Sequence, residues 1–255
     1  MDANMEKDIQ SKSQRNLLEN LLCDFKIPSY DVAQNFPVFA TRRNIARFLT
    51  HYELFKKIYE LPGSIVELGV FKGAGVFTWA KLCEIFCPTD IIKKVYAFDT
   101  FEGFPALSEE DGPRNTEYDR IIGGYNGGPD SKQILESANA AFMADKHLRA
   151  VERIEFIEGD VIDTIPRFVK EKGNGLKICL LNLDLDLYEP TKIALEYFVP
   201  RMVKDGIIIL DEYAIQSFGG ETKAVDEYFN KKYGSLPLIK KFHWHANPSG
   251  YIVKE

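Results

Sequence analysis

The fold is decided by residues 64–75, which read Ser-Ile-Val-Glu-Leu-Gly-Val-Phe-Lys-Gly-Ala-Gly. Residues 64–69 have the short apolar run of a strand, with Glu67 set within it. Gly69 follows directly on this run, and Gly73 and Gly75 stand where a helix over residues 74–86 begins. Glycines at such places allow a tight turn and a close approach of the backbone to a ligand. The stretch therefore predicts a strand, a glycine turn and a helix.

The same alternation continues along the chain. Further strands are predicted at residues 94–98, 153–157, 177–183 and 206–210, and helices at residues 131–148, 164–171, 190–202 and 222–232. Runs such as residues 207–210 are apolar without alternation, as strands buried on both faces should be. Two short β runs, residues 238–244 and 251–253, are joined by Asn-Pro-Ser-Gly and read as a hairpin. We expect an α/β fold with five parallel strands and a closing antiparallel hairpin.

The flanking segments define the expected domain organisation. Residues 1–40 predict an N-terminal helical extension and a linker broken by proline, and residues 41–255 form the main domain. This domain opens with a helix over residues 41–61, for which Thr41 is a plausible N-cap. Residues 101–130 are polar and rich in glycine, and a long loop of this kind is either functional or disordered. We interpret residues 103–130 as a lid, with disorder as the alternative.

Composition excludes several classes of protein. The 255 residues carry 32 Lys and Arg against 38 Asp and Glu, a net charge of -6, which argues against nucleic acid or an anionic membrane as a partner. No apolar run approaches the roughly 20 residues that span a bilayer. Four scattered cysteines do not make a disulfide scaffold. The polar start lacks an apolar signal core, so we expect a cytoplasmic protein.

In parallel α/β sheets, ligands bind beyond the carboxyl ends of the strands. Glu67 with the glycines after it suits a ligand that carries an ammonium group, or forms a plain turn without a ligand. Asp99 suits the ribose hydroxyls of an adenosine-type cofactor, or caps a helix. Asp160 suits an adenine amino group, or belongs to a Gly-Asp turn. The spacing is not the G-x-G-x-x-G fingerprint, which counts against a nicotinamide oxidoreductase.

Two acidic clusters follow the last two parallel strands. Asp184 and Asp186 come after one, and Asp211 and Glu212 come after the next. Carboxylates gathered in one cleft repel one another, and a divalent cation relieves this repulsion. An all-oxygen set suits Mg²⁺ or another hard cation rather than zinc. The alternative is that these acids only cap helices.

Five segments in this order resemble the macrocin O-methyltransferase (TylF) family of sugar O-methyltransferases. They are residues 65–73, 98–105 (Phe-Asp-Thr-Phe-Glu-Gly-Phe-Pro), 163–166 (Asp-Thr-Ile-Pro), 183–191 (Leu-Asp-Leu-Asp-Leu-Tyr-Glu-Pro-Thr) and 208–213 (Ile-Ile-Leu-Asp-Glu-Tyr). The likeness runs from about residue 41 to 230. This sequence departs from the family pattern at Phe71, at Leu185 and at the pair Asp211-Glu212.

The resemblance implies a class I S-adenosylmethionine (SAM) methyltransferase with a seven-stranded sheet and Mg²⁺ dependence. It implies that Asp184, Asp211 and Glu212 bind the metal, and that Asp184 lies near enough to the acceptor hydroxyl to act as the base. Together with the strand-end pattern it predicts a SAM site formed by Glu67, Gly69, Val70, Gly73, Asp99, Thr100, Phe101 and Asp160.

These features lead to one functional hypothesis: methyl transfer from SAM to a hydroxyl of a deoxysugar, on a nucleotide or a glycosylated natural product. The alternatives are a metal-dependent methyltransferase of a phenolic or catechol acceptor, and an inactive interaction subunit. Arg114 and Arg120 suit a diphosphate clamp in the lid. His243 and His245 share a strand face but are interpreted as ordinary edge residues. We expect a homo-oligomer, and residues 1–40 have an apolar helix and a linker that are able to pack on a neighbour.

Overall fold

The computed structural model describes residues 3–113, 120–244 and 247–255, with side chains from residue 12 onward. The chain divides into two compact units, Met1–Ala46 and Arg47–Glu255. The first unit is helical, with α1 (Ala3–Asp24), α2 (Ser29–Gln34), α3 (Phe36–Phe39) and the start of α4 (Arg42–Phe55). Thr41 caps α4 as predicted, since its Oγ1 accepts a hydrogen bond from the backbone N–H of Asn44 at 3.2 Å.

The second unit is built on a six-stranded sheet in the part of the chain that the structure describes. Its strands are β1 (Ser64–Leu68), β2 (Val95–Asp99), β3 (Ile154–Glu158), β4 (Ile178–Leu183), β5 (Met202–Leu210) and β6 (Gly250–Val253). They lie in the order β3-β2-β1-β4-β5-β6, all parallel except β6, which pairs antiparallel with β5. The chain runs outward from β1 to β3 and then returns to the other side of β1. The crevice at this reversal is where open α/β sheets bind ligands.

The five predicted crossover helices are present. They are α5 (Ala74–Phe86), α6 (Ser131–Asp145), α7 (Val161–Lys172), α8 (Tyr188–Phe198) and α9 (Gly219–Tyr233). Helix α5 has the predicted bounds, whereas the other four have shifted ends. Helix α7 begins three residues before its predicted start because the carboxylate of Asp160 accepts from the backbone N–H of Ile162 at 2.9 Å. Helix α4 stops at Phe55 instead of residue 61. The buried Lys93 donates from its ammonium group to carbonyl oxygens in the segment that follows Phe55, among them Leu61 O at 2.6 Å. These contacts end the helical pattern.

Both faces of the sheet are covered by apolar cores. On one face, Phe98 of β2 packs edge-on against Phe168 of α7 and Phe198 of α8, with ring centroids 5.1 and 5.8 Å apart. On the other face, side chains of α5 such as Trp79 pack on β1 and β2, and α4 adds Phe55. Burial on two faces explains why the strands read as continuous apolar runs. The expected α/β class is therefore confirmed.

The expected seventh strand is absent from the described residues. Residues 238–244 form a single bridge, in which Lys240 exchanges two backbone hydrogen bonds with Tyr251. Beyond it the segment makes side-chain contacts and no strand pairing: Phe242 stacks on Tyr251 of β6, and Trp244 donates from Nε1 to Thr50 Oγ1 at 3.1 Å. Side-chain packing thus takes the place of the first strand of the predicted hairpin, and the prediction of seven strands was wrong.

None of the described helices combines the length and the apolar character needed to cross a membrane.

Candidate active site

The residues that follow β1, β4 and β5 lie side by side at the carboxyl edge of the sheet. The backbone N–H of Asp184 donates to Leu68 O at 3.0 Å, and the N–H of Asp211 donates to Leu183 O at 3.1 Å. The strand ladder thus extends one residue past each strand end. This register places the two predicted acidic clusters next to each other and next to the glycine turn.

Backbone strain concentrates at the same edge. Seven described non-glycine residues have a positive φ, and four of them stand within four residues of the end of a parallel strand. These four are Phe71, Phe101, Asp186 and Ala214, with φ values of 50°, 60°, 62° and 62°. Such conformations cost about 1–3 kcal/mol each and cluster at binding and catalytic sites. The backbone thus marks this edge as a functional site independently of residue type.

The glycine turn after β1 is held by Asp99. Its Oδ2 accepts from the backbone N–H groups of Val70 (2.6 Å) and Phe71 (2.9 Å), and its Oδ1 accepts from Phe101 N–H (2.7 Å). Gly69 has a φ of 87°, and a Cβ built there would lie only 1.8 Å from the carbonyl oxygen of Asp184. Asp99 therefore shapes the two loops of the predicted cofactor site. That Asp99 also binds the ribose hydroxyls of a cofactor stays a prediction.

Glu67 is a buried acid beneath the glycine turn. Its Oε2 accepts from Trp79 Nε1 at 2.5 Å, and a Cβ on Gly75 would lie 2.2 Å from its Oε1. Burial, together with the charge of Asp184, raises the pKa of Glu67 to about 8. The glycine at position 75 is required because the carboxyl group fills the space at the start of α5. Glu67 thus places a titratable group at the centre of the crevice.

Asp184 and Asp211 share one cation, the guanidinium of Arg47 on α4. Arg47 Nη2 lies 2.8 Å from Asp184 Oδ2 and 3.2 Å from Asp211 Oδ1, and Nη1 lies 3.4 Å from Asp211 Oδ2. Burial and the charge of Asp211 raise the pKa of Asp184 to about 7, although Arg47 opposes the shift. A carboxylate with this pKa is suited to accept a proton near neutral pH.

The C-terminal segment holds the second acidic pair. Asn247 donates from Nδ2 to Glu212 Oε1 at 2.6 Å and to Asp211 Oδ2 at 3.3 Å. Behind this pair, Glu221 of α9 accepts from the backbone N–H of Glu212 at 3.1 Å. Burial, followed by the charges of Asp211 and Asp184, raises the pKa of Glu212 to about 8. The cleft therefore gathers more carboxyl groups than the guanidinium of Arg47 can neutralise.

The donor set can be compared with the needs of a divalent cation. Within the described ranges, no three His, Cys, Asp or Glu side chains are already arranged around one point as a metal site. Asp184 and Asp211 nevertheless direct oxygens to the same nitrogen of Arg47. Mg²⁺ is commonly held by one or two carboxylates, with waters and substrate completing its shell. The two aspartates fit such a cation, and Glu212 as a third ligand stays a prediction.

The remaining predicted cofactor residues occupy the loops after β1, β2 and β3. Gly73 has a φ of 80° at the start of α5, where a Cβ would lie 2.3 Å from Leu135 Cδ2. Thr100 donates from Oγ1 to Gly103 O at 2.7 Å. Asp160 lies after β3 as the N-cap of α7, and its contact with an adenine amino group stays a prediction.

The described parts of residues 103–130 are attached to the second unit by buried polar groups. Asp111 ends a short 3₁₀ helix and accepts from the backbone N–H of Tyr188 at 2.7 Å. Arg120 is 6% exposed and donates to Ser217 O and, at 2.8 Å, to Pro113 O. The expectation that Arg120 clamps a diphosphate was wrong, because backbone carbonyls engage its guanidinium. Arg114 lies outside the described residues.

Of the two predicted edge histidines, His243 lies in the turn between the Lys240 bridge and β6 instead of on a strand. His245 lies outside the described residues.

Sequence reasoning missed Arg47 and Asn247. Arg47 lies 137 positions before Asp184, and Asn247 lies 35 positions after Glu212. Neither belongs to a strand-end motif, so the strand pattern contained no signal for them. Arg47 does occupy a helix of otherwise apolar spacing, but only the packing of α4 shows which acids it meets.

The parallel sheet with an antiparallel last strand and the loop-built site define the class I SAM methyltransferase fold. The chain belongs to the macrocin O-methyltransferase (TylF) family, which it matches over residues 53–244. The resemblance inferred from the five sequence segments is thereby confirmed.

Two curated relatives illustrate the family. One is 8-demethyl-8-(2,3-dimethoxy-alpha-L-rhamnosyl)-tetracenomycin-C 4'-O-methyltransferase of Streptomyces olivaceus, which is 30% identical over 158 residues, or 62% of this chain and 55% of the relative. The other is mycinamicin III 3''-O-methyltransferase of Micromonospora griseorubida, 26% identical over 66% of this chain and 61% of the relative. The chain thus matches less than two thirds of the length of these relatives.

Solved structures agree with the fold. The calicheamicin methyltransferase CalS11 superposes with a TM-score of 0.86 at 28% identity, covering 96% of this chain and 92% of that chain. The apo structure of CalS11, described as a TDP-rhamnose 3'-O-methyltransferase, superposes with a TM-score of 0.77 at 27% identity, covering 96% and 94% of the two chains.

Proposed function

We propose that this protein is a SAM-dependent O-methyltransferase that methylates a hydroxyl of a deoxysugar with the help of a divalent cation such as Mg²⁺. The observation that carries the proposal is that Asp184 and Asp211 both bind the guanidinium of Arg47. They do so directly beside the strained glycine turn after β1. A cofactor loop and an acidic cleft on one sheet edge suit the transfer of a group to an oxygen nucleophile.

The cofactor is assigned to the loops after β1, β2 and β3. SAM supplies an electrophilic methyl group on a positively charged sulfur. The glycine turn permits a close backbone approach, and Glu67 offers a negative charge to a cationic ligand when it is ionised. Asp99 retains acceptor capacity because each carboxylate oxygen has two lone pairs, so the ribose hydroxyls are its expected partners.

Asp184 is assigned as the base. A sugar hydroxyl holds its proton tightly at neutral pH, and a bound divalent cation lowers the pKa of an oxygen that it contacts. Asp184 would take up the proton of the acceptor hydroxyl. Its raised pKa of about 7 belongs to the metal-free cleft, and a cation bound to the carboxylate would lower it. Asp211 holds the same cation from the neighbouring strand. Much of the remaining rate enhancement is expected from alignment of the acceptor oxygen with the methyl group.

The acceptor class is inferred from two similar proteins whose names contain a rhamnosyl group or TDP-rhamnose. A deoxysugar carried on a nucleotide or on a finished glycoside therefore comes first in any substrate screen. The corrected role of Arg120 removes one argument for a nucleotide-linked sugar, so both carriers have to be compared.

The test is a screen with labelled SAM over nucleotide sugars, glycosides and phenols, with Mg²⁺, with excess chelator, and with Mg²⁺ restored. We expect transfer to a sugar hydroxyl that is lost in chelator and recovered with the metal. Asp184→Asn should lower turnover by about 10²–10⁴-fold. The control is Asp205→Asn, at an exposed position near the opposite end of β5. Full activity in chelator would refute the proposed role of the metal. A preference for phenols would refute the proposed sugar acceptor.

A further inference from the structure

The position of Arg47 points to a second role for the acidic cleft. Its guanidinium contacts Asp211 through both terminal nitrogens and reaches Asp184 through Nη2. Arg47 therefore bridges two carboxylates that come from different strands. A planar guanidinium with several donors is well suited to such a bridge.

The bridged oxygens are the ones assigned to the divalent cation. The side chain of Asp211 is 3% exposed, so it cannot rely on water to balance its charge. Within the described residues, Arg47 is the cationic side chain that pairs with Asp211, and removing it is costly, because an uncompensated buried charge remains. The Arg47 side chain is 32% exposed, which leaves it solvent to move into. The carboxylate oxygens of Asp184 and Asp211 thus have two alternative partners, the guanidinium of Arg47 and a divalent cation.

We propose that Arg47 is the counter-ion of the metal-free cleft, and that a divalent cation binds Asp184 and Asp211 by displacing its guanidinium. This inference rests on the proposed function, since it takes the two aspartates as metal ligands. Arg47 then keeps the metal-free protein folded and at the same time weakens metal binding. It acts as a positioning residue, not as a catalytic one.

The direct measurement is calorimetric titration of MgCl₂ into the cofactor-free protein, comparing wild type with Arg47→Gln. Because the competing cation is lost, the variant should bind Mg²⁺ more tightly, by about 5- to 150-fold, the usual range for coupled binding events. Arg47→Lys keeps a charge but loses the two-pronged contact, so its affinity should fall between the two. Arg42→Gln removes a cation from an exposed position on the same helix and should leave the affinity unchanged.

Thermal unfolding supplies the second readout. Without metal, Arg47→Gln should unfold at a lower temperature than wild type, and saturating Mg²⁺ should close most of the gap. If wild type binds Mg²⁺ and neither Arg47 variant binds it more tightly, the counter-ion role is overturned while the proposed metal dependence stands. If none of the proteins binds Mg²⁺ and activity survives in chelator, the metal part of the proposed function fails, and this inference fails with it.

Discussion

Replacing Gly69 by alanine tests whether the close approach between the glycine turn and Asp184 builds the site. Gly69 has a φ of 87°, and its added Cβ would lie 1.8 Å from the carbonyl oxygen of Asp184. Real Cβ atoms essentially never come closer than 3.0 Å, so the two backbones have to separate by roughly 1.2 Å. The substitution therefore moves the residue that is assigned as the base.

Two costs add in this variant. A positive φ at an alanine costs about 1–2 kcal/mol, and the steric displacement of a packed strand end costs about 1–3 kcal/mol more. We expect the free energy of unfolding to fall by about 2–5 kcal/mol. A displacement of about 1 Å at a reacting group lowers turnover by about 10²-fold, and we expect a loss of that order for methyl transfer.

Gly234→Ala is the matched control. Gly234 has a φ of 76° at the end of α9, and nothing lies within 4 Å of its added Cβ, so this variant has the backbone strain without the clash. The assays are chemical denaturation and turnover with labelled SAM. Equal unfolding free energies and equal turnover in the two variants would refute the reasoning, because the close approach would then have no consequence.

Three further predictions concern the acidic cleft and its supports. In the metal-free protein the free energy of unfolding should fall as pH rises from about 5 to 7, because the raised pKa values of Asp184 (about 7) and Glu212 (about 8) retain protons that the unfolded chain has released. Asp184→Asn should make this slope shallower, by up to about 1.4 kcal/mol per pH unit, and an unchanged slope in denaturation curves would count against the assignment. Asp111→Asn should cost about 1–3 kcal/mol and speed hydrogen exchange at the Tyr188 amide, whose acceptor it weakens; normal protection there would contradict the anchoring role. Asn247→Ala should cost about 1.5–3 kcal/mol in thermal or chemical unfolding, since Glu212 loses a 2.6 Å donor, whereas an unchanged stability would show that the contact contributes nothing.

Much of the fold was readable from local pattern. The strand, glycine turn and helix of residues 64–75 occur as predicted, and the acids after β4 and β5 lie side by side. Both follow from one rule, that parallel strands end at a common edge of the sheet. The limits of α4 and α7 were predicted less well, because contacts of Lys93 end α4 early and the Asp160 cap starts α7 early.

The errors share a physical origin in contacts between distant segments. Residues 238–244 have a β pattern, yet Phe242 and Trp244 contact distant side chains and only Lys240 pairs with β6. Arg120 has the residue type of a phosphate ligand, yet a buried contact with Ser217 engages it. Residue type states what a side chain is able to bind, whereas its neighbours decide what it binds.

The sequence by itself determined the α/β alternation, the family, and the strand-end acids, because strand periodicity, turn glycines and parallel topology are local or follow general rules. Only the tertiary structure decided the charge balance of the cleft. Arg47 meets Asp184 and Asp211 because the packing of α4 against the sheet brings its guanidinium to the edge where both strands end. Electrostatic pairing depends on distances in space that sequence separation does not encode.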